Sequence, residues 1–245
     1  MNRSRPGKDE TLDAFYRGRV LVLQKRRGYR FSLDAPLLAD FIETRPGDVV
    51  LELGTGCGII ALLLAGKPFR RLVALEIQPA LADLARRNVE LNGLEGRLEV
   101  VEADFRAFTS GERFDVVYAN PPYIRRRGGR LSVSRERTIA RHEVACDIGD
   151  VMAKTAELLA PSGRAYFIYP VRRRADFEAA LERRGLGLRR VRPVRPRAGA
   201  PANLFLAEAR FGNGPADELA PLVLFGPDGT YAAEVQAIFS RRPHA

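Results

Sequence analysis

The run 118-YANPPYIRRRGG-129 sets an amide, two prolines and a tyrosine ahead of three arginines. A planar amino group is a poor nucleophile, because its lone pair is delocalised into the ring or carbonyl that carries it. Two acceptors aimed at its hydrogens favour the pyramidal nitrogen, direct the lone pair outward and stabilise the positive charge that develops. The Asn120 side-chain oxygen and the Pro121 main-chain carbonyl are two such acceptors. Pro121 and Pro122 restrict the backbone, so the carbonyl stays aimed instead of joining a helix. Tyr123 offers a face on which a flipped base or an amide stacks. Beyond it, Arg125, Arg126, Arg127 and Arg130 flank Gly128 and Gly129, a flexible cationic loop suited to neutralising several phosphates. Asn120, Pro121, Pro122 and Tyr123 are thus the expected catalytic set, for transfer of a methyl group to an amino nitrogen.

Such a tetrad also arises as a plain turn; what distinguishes this one lies upstream. The segment 50-VLELGTGCGIIALLLA-65 reads as strand, glycine turn and helix. Gly54, Gly56 and Gly58 fall at the C-terminal end of the strand, where open α/β sheets bind ligands and where glycine permits positive φ and close backbone approach. The spacing is GxGxG, which is neither the dinucleotide fingerprint nor a phosphate-binding P-loop. Glu52 precedes the loop and suits a cationic or amino-bearing ligand rather than a pyrophosphate, which favours S-adenosylmethionine. Glu76, followed by Ile77, ends the second strand about 20 residues on, where an acid accepts the ribose hydroxyls. Asp104 with Phe105 ends the third, placed to pair with an adenine amino group and cover its ring.

These residues need a scaffold that aligns strand ends. From Asp48 onward short apolar runs (VVLEL, RLVALEI, RLEVVEADF, FDVVYA) alternate with helical patterns (GIIALLLAG, PALADLARRNVELNG). Strands nearly continuous in hydrophobicity belong to a parallel sheet covered on both faces, so the expected fold is a doubly wound, Rossmann-like α/β sheet. The pattern continues with a helix around 148–160, the strand RAYFIYP, a helix around 175–184, strands near 188–194 and 203–211, a turn at 226–229 and a closing helix. The Arg-Pro alternation RRVRPVRPRAGAPAN reads as an exposed connection between the last two strands. Residues 1–17 read as a flexible basic arm and 18–245 as one domain. Within it, 18–46 form a hairpin turning at Lys25, Arg26, Arg27 and Gly28, its second run at 29–33, and then a helix capped by Asp34.

Composition narrows the function. A chain of 245 residues buries one substantial core. No apolar run approaches the roughly 20 residues of a membrane span, and the first residues lack the apolar centre of an export signal, which makes cytoplasmic the expectation. Cys57 and Cys146 form no CxxC, and with His142 and His244 the only histidines, no disulfide framework or metal site is expected. The net charge of +10 attracts polyanions, which makes nucleic acid the expected partner. Lys25, Arg26 and Arg27 are counted with the loop arginines as candidate RNA contacts.

The motifs ELGTGCG and NPPY, with GYRFSLDAPLLADF, ARHEVACDIGDVMAKTAELLAPSGRAYFIYP and LFGPDGTYAAEVQAIF, resemble the class I S-adenosylmethionine methyltransferases. Within these they resemble the bacterial tRNA adenine-N6 methyltransferases that modify the adenosine beside the anticodon of a valine tRNA. The likeness runs from about Leu21 to Phe239. It implies a seven-stranded sheet, mostly parallel with an antiparallel strand near the C-terminus, and a monomer or weak dimer. It implies S-adenosylmethionine as cofactor, S-adenosylhomocysteine as product and no metal. Phe31, Ser32 and Asp34 should then line the methionine end beside Glu52, Gly54 and Gly58, with Glu76 at the ribose, Asp104 and Phe105 at the adenine, and Asn120 and Tyr123 at the target amino group. The departures lie in 125–141 and in the arginine-rich second half, where the RNA is chosen. A glutamine N5-methyltransferase of release factors shares the tetrad but carries a separate helical domain ahead of it. An RNA-binding protein with a vestigial cofactor site would lack the intact acids, glycines and tetrad.

Overall fold

The structure, a computed structural model, describes residues 5–16, 18–27, 32–121 and 147–240. An antiparallel hairpin opens the chain, β1 (Glu10–Phe15) against β2 (Val20–Lys25), followed by helix α1 (Asp34–Phe41). Then come β3 (Val49–Leu53), α2 (Ile59–Leu64), β4 (Arg71–Glu76), α3 (Pro79–Leu91), β5 (Leu98–Glu102) and β6 (Phe114–Ala119). The second half contains α4 (Ile148–Leu158), β7 (Leu159–Pro170), a 3-10 turn, α5 (Arg174–Glu182), β8 (Leu186–Arg197), β9 (Leu204–Phe211), two short strands β10 (Asp217–Glu218) and β11 (Leu222–Phe225), and α6 (Ala233–Ser240).

Strands β3 to β11 form one sheet in the order β10-β8-β9-β7-β6-β3-β4-β5, with β11 pairing the far half of β8. Only β9 runs antiparallel to its neighbours in this sheet among the described residues. The expected seven-stranded, mostly parallel sheet with a late antiparallel strand is therefore present, extended by β10 and β11. Every residue of β3 is buried, because helices cover both faces. Alternation divides the contacts: Val50, Val116 and Tyr118 meet Leu38, Ile42, Ile60 and Leu63 of the α1/α2 side. Leu51, Val117 and Phe167 meet Val151, Met152 and Phe177 of the α4/α5 side. No helix is long and apolar enough to cross a membrane among the described residues.

Three local expectations are corrected. The hairpin partner of β2 is β1, in residues read as an arm, and not the run at 29–33, whose residues 29–31 lie outside those described. The cause is an inverted face: Leu12 and Ala14 are exposed while Thr11 and Asp13 are half-buried, so the apolar pattern points the wrong way. Asp34 does not cap α1; Leu33 holds the cap position and Asp34 lies in the first turn, where its negative charge is favourable at the positive end of the helix dipole. The Arg-Pro part of that run, 189–197, lies within β8, and only 198–203 connect it to β9. Pro193 is tolerated there because β10 pairs with Arg190 and Val191, while β11 pairs from Val194 onward, which leaves the Pro193 position without a ladder partner on that side.

Candidate active site at the switch point of the sheet

The chain leaves β3 outward to β4 and β5, then returns to place β6 on the other side of β3. The crevice above the β3/β6 boundary is the switch point at which open α/β sheets bind ligands. Glu52 of β3 and Tyr118 of β6 are register partners. Gly54 and Asn120 each follow that pair by two residues, just past the ends of β3 and β6.

The glycine turn takes backbone conformations that favour glycine. Gly54, Gly56 and Gly58 have φ of 77°, 61° and 86°, where a side chain is strained. Gly54 is exposed with open space where a Cβ would point, whereas a Cβ on Gly58 would come within 3.4 Å of Ala85 Cβ. Gly54 N–H and Thr55 N–H donate to Leu75 O at 3.0 and 2.9 Å, tying the turn to the end of β4. Cys57 is buried in the turn, and burial pushes its thiol up to about 12, so it is inert as a nucleophile at neutral pH.

Two acids sit below this turn. Glu52 is 1% exposed, and Thr55 Oγ1 donates to its carboxylate at 2.5 Å. Burial raises Glu52 to about 7; the Thr55 and Tyr118 hydroxyls oppose that rise and Glu76 adds to it. The Tyr118 hydroxyl is itself buried without a hydrogen bond of ordinary geometry. Glu76 accepts from Gly56 N–H at 2.8 Å and from Gln78 N–H at 2.9 Å, and its pKa is raised by burial against those hydrogen bonds. Ile77, the next residue, is 42% exposed, an apolar surface open to a flat ligand.

At the end of β5, Asp104 is held by Arg106, whose Nε donates at 2.9 and 3.0 Å and whose Nη2 lies 2.5 Å away; this lowers its pKa. Phe105 is half-buried and packs on the α4/α5 layer. Asn120 is half-buried immediately after β6, and Pro121 is buried. Ser32 is exposed just ahead of α1, which packs on α2, and Asp34 begins that helix. Lys25 ends β2, reaching Glu10 at 3.5 Å, Arg26 donates to Glu10 O, and Arg27 follows exposed. Phe31, Pro122, Tyr123, Arg125, Arg126, Arg127 and Arg130 lie outside the described residues.

Sequence reasoning passed over Thr55, Tyr118, Arg106 and Asn88. The period-two spacing Glu52/Gly54 and Tyr118/Asn120 carried a signal for Tyr118. Asn88 carried none: it is fully buried on α3, where its side chain accepts from Leu23 N–H at 2.6 Å and donates to Leu23 O and Cys57 O, both at 2.8 Å. Asn92, one turn on, repeats the pattern with Leu21 N–H and O at 2.9 and 2.7 Å. The free edge of β2 is thus satisfied by two side-chain amides, and Asn88 joins the hairpin to the glycine turn.

The residues suit S-adenosylmethionine: Gly54 and Ile77 are exposed beside the turn, and Glu52, an acid raised by burial, lies beneath it. This strand order, with one late antiparallel strand and a glycine turn after the first parallel strand, is that of the Rossmann-like class I methyltransferases. Residues 31–169 match the methyltransferase small domain family, and the chain belongs to it. A tRNA1(Val) (adenine(37)-N6)-methyltransferase from a Flavobacteriaceae bacterium is 29% identical over 170 residues, 69% of this chain and 71% of its own. The protein of that name from Phocaeicola vulgatus is 32% identical over 167 residues, 68% and 70% of the two chains. A predicted O-methyltransferase from Agrobacterium tumefaciens has the same fold, with a TM-score of 0.63 at 22% identity, covering 84% of this chain and 94% of its own.

Proposed function

We propose that this chain is an S-adenosylmethionine-dependent methyltransferase acting on N6 of an adenine in tRNA, near the anticodon. What supports the reading is the pairing of Glu52 with Tyr118 at the switch point, since Gly54 of the glycine turn and Asn120 of the tetrad each follow two residues later. The names of the curated relatives supply the substrate class.

Glu52, Gly54, Gly56, Gly58, Glu76, Ile77, Asp104 and Phe105 would hold the cofactor, with Phe31, Ser32 and Asp34 at its amino-acid end. Bound there, it supplies an electrophilic methyl on a cationic sulfur. Asn120 Oδ1 and Pro121 O accept from the adenine amino group, orient its lone pair and stabilise the charge that grows on nitrogen. Tyr123 stacks the base, and the arginines of 125–130 neutralise its phosphates. Glu52 balances the positive end of the cofactor and Glu76 accepts from its ribose hydroxyls. The enzyme works in the cytoplasm as a monomer or weak dimer.

The test is transfer from labelled cofactor to bulk tRNA from cells lacking the gene, followed by nucleoside digestion. Label in N6-methyladenosine is expected. Label in protein glutamine, with none in RNA, would overturn the substrate.

A further inference from the structure

The arginines of the second half sort by what holds them. Arg173 reaches Asp176, Arg174 reaches Glu178 and Glu218, Arg190 reaches Glu43 and Glu208, Arg192 reaches Glu234, and Arg210 reaches Glu208. Arg189 donates to the carbonyls of Phe211 and Gly212. Arg172, Arg195 and Arg197 have no carboxylate partner among the described residues, and Arg195 Nε is buried without an acceptor.

These three share one edge of the molecule. Strands β6, β7, β8 and β11 are parallel, so residues at their C-terminal ends emerge on the side that carries Asn120. Ala119 pairs with Phe167, and β7 then runs on to Pro170; Pro170 and Val194 both pair with Leu204. The far half of the sheet therefore stands roughly 10 Å above the level of Ala119, as a wall beside the crevice. Arg172 follows the top of β7, and Arg195 and Arg197 end β8.

The same wall carries an aromatic face. Arg197 is the register partner of Phe225, whose ring stacks on Tyr231 with centroids 5.2 Å apart and planes 20° apart. The 226–229 turn and the Phe225–Tyr231 bridge hold that ring in place, and Tyr231 is 37% exposed. The Tyr231 ring also packs on Phe239, with centroids 5.1 Å apart; unpaired guanidiniums beside this partly exposed aromatic cluster are the chemistry of a single-stranded nucleic acid contact, with charge for phosphates and an aromatic surface for a base. From β6 to β11 is four strand spacings, roughly 19 Å, which puts this patch beside the target nucleotide and not upon it.

We propose that Arg172, Arg195, Arg197 and Tyr231 form a second contact for the RNA substrate, gripping the strand that flanks the methylated nucleotide. The inference rests on the reading of RNA as substrate. It is tested with Arg172→Glu/Arg197→Glu, with Tyr231→Leu, and with the control Arg183→Glu/Arg184→Glu. The control residues are also exposed and unpaired among the described residues, but precede β8 on the opposite edge.

Direct tRNA binding across a salt series separates this from turnover. The site-edge pair should weaken binding at least tenfold and reduce the log–log salt slope by about 1.5, since each lost phosphate contact removes about 0.7–0.9. Tyr231→Leu should weaken binding severalfold with little change in slope, and Tyr231→Phe should restore it. Cofactor affinity should stay as in the parent, which also shows that the variants fold. Equal losses in the site-edge and control pairs would overturn the proposal. Failure of the parent to methylate RNA while the binding differences persist would instead sink the functional reading.

Discussion

Glu52 is the residue whose chemistry is most exposed to test. It is an acid raised to about 7 by burial, beside a second acid, and the proposed function sets the cationic end of the cofactor against it. Such a ligand selects the ionised form, so cofactor affinity should strengthen as pH rises from 5.5 to 7. The steepest change possible is about tenfold per unit. Calorimetry should show this slope in the parent, and a weaker, flat affinity in Glu52→Gln; a flat parent would contradict the role. Asn120→Ala should cut turnover by roughly 10²–10³ with cofactor affinity retained, the scale of losing one aligned polar group in a reacting site. Near-normal turnover would remove Asn120 from the mechanism. Gly54→Ala tests the turn: its Cβ meets open space, so the cost is that of the positive φ alone, about 1–2 kcal/mol. Denaturant midpoints should report that loss; a larger one would mean that the space is not open.

At the scale of elements, the hairpin and α3 act together. Asn88→Ala would leave Leu23 N–H, Leu23 O and Cys57 O without their partner, a loss of roughly 2–4 kcal/mol and on the order of 5–15 °C in Tm. A change of under 2 °C would mean that water replaces the amide. Glu10 adds a pH-dependent tie. Its hydrogen bonds from Arg87 at 2.9 and 2.8 Å, the largest cause, lower its pKa to about 2. A depressed carboxylate contributes stability that is present above its unfolded value near 4.5 and lost as pH falls toward 2. Glu10→Gln should therefore destabilise at pH 7 and converge with the parent near pH 2. β1 was illegible in the sequence because Leu12 and Ala14 face outward while Thr11 and Asp13 are half-buried, the reverse of the alternation that marks a strand. The parallel strands, the glycine turn and the strand-end acids were legible because they follow from hydrophobic runs punctuated by glycine. The Arg-Pro strand was not, since Pro193 depends on a gap between two partner strands that only the tertiary fold creates. Arg106 on Asp104 was likewise hidden, because a charge two residues away reads as a solvated neighbour until the turn after β5 folds them together.

For the whole molecule, the net charge of +10 and the positions of the unpaired arginines bear on how a polyanion is held. Half of the described second-half arginines close ion pairs within the fold, while the unpaired ones at the top of β7 and β8 lie on the same side of the sheet as Asn120. Affinity for RNA should thus fall linearly on a log–log plot against salt, with a slope set by the few unpaired cations rather than by the formal charge. The measurement that tests the central claim most directly is nucleoside mass spectrometry of tRNA from cells with and without this gene, with mapping of any missing methyl. Loss of N6-methyladenosine from one tRNA species, restored by the parent gene and not by Asn120→Ala, is the predicted result. Unchanged tRNA methylation in the deletion would contradict the proposed substrate and leave only the fold and the cofactor crevice standing.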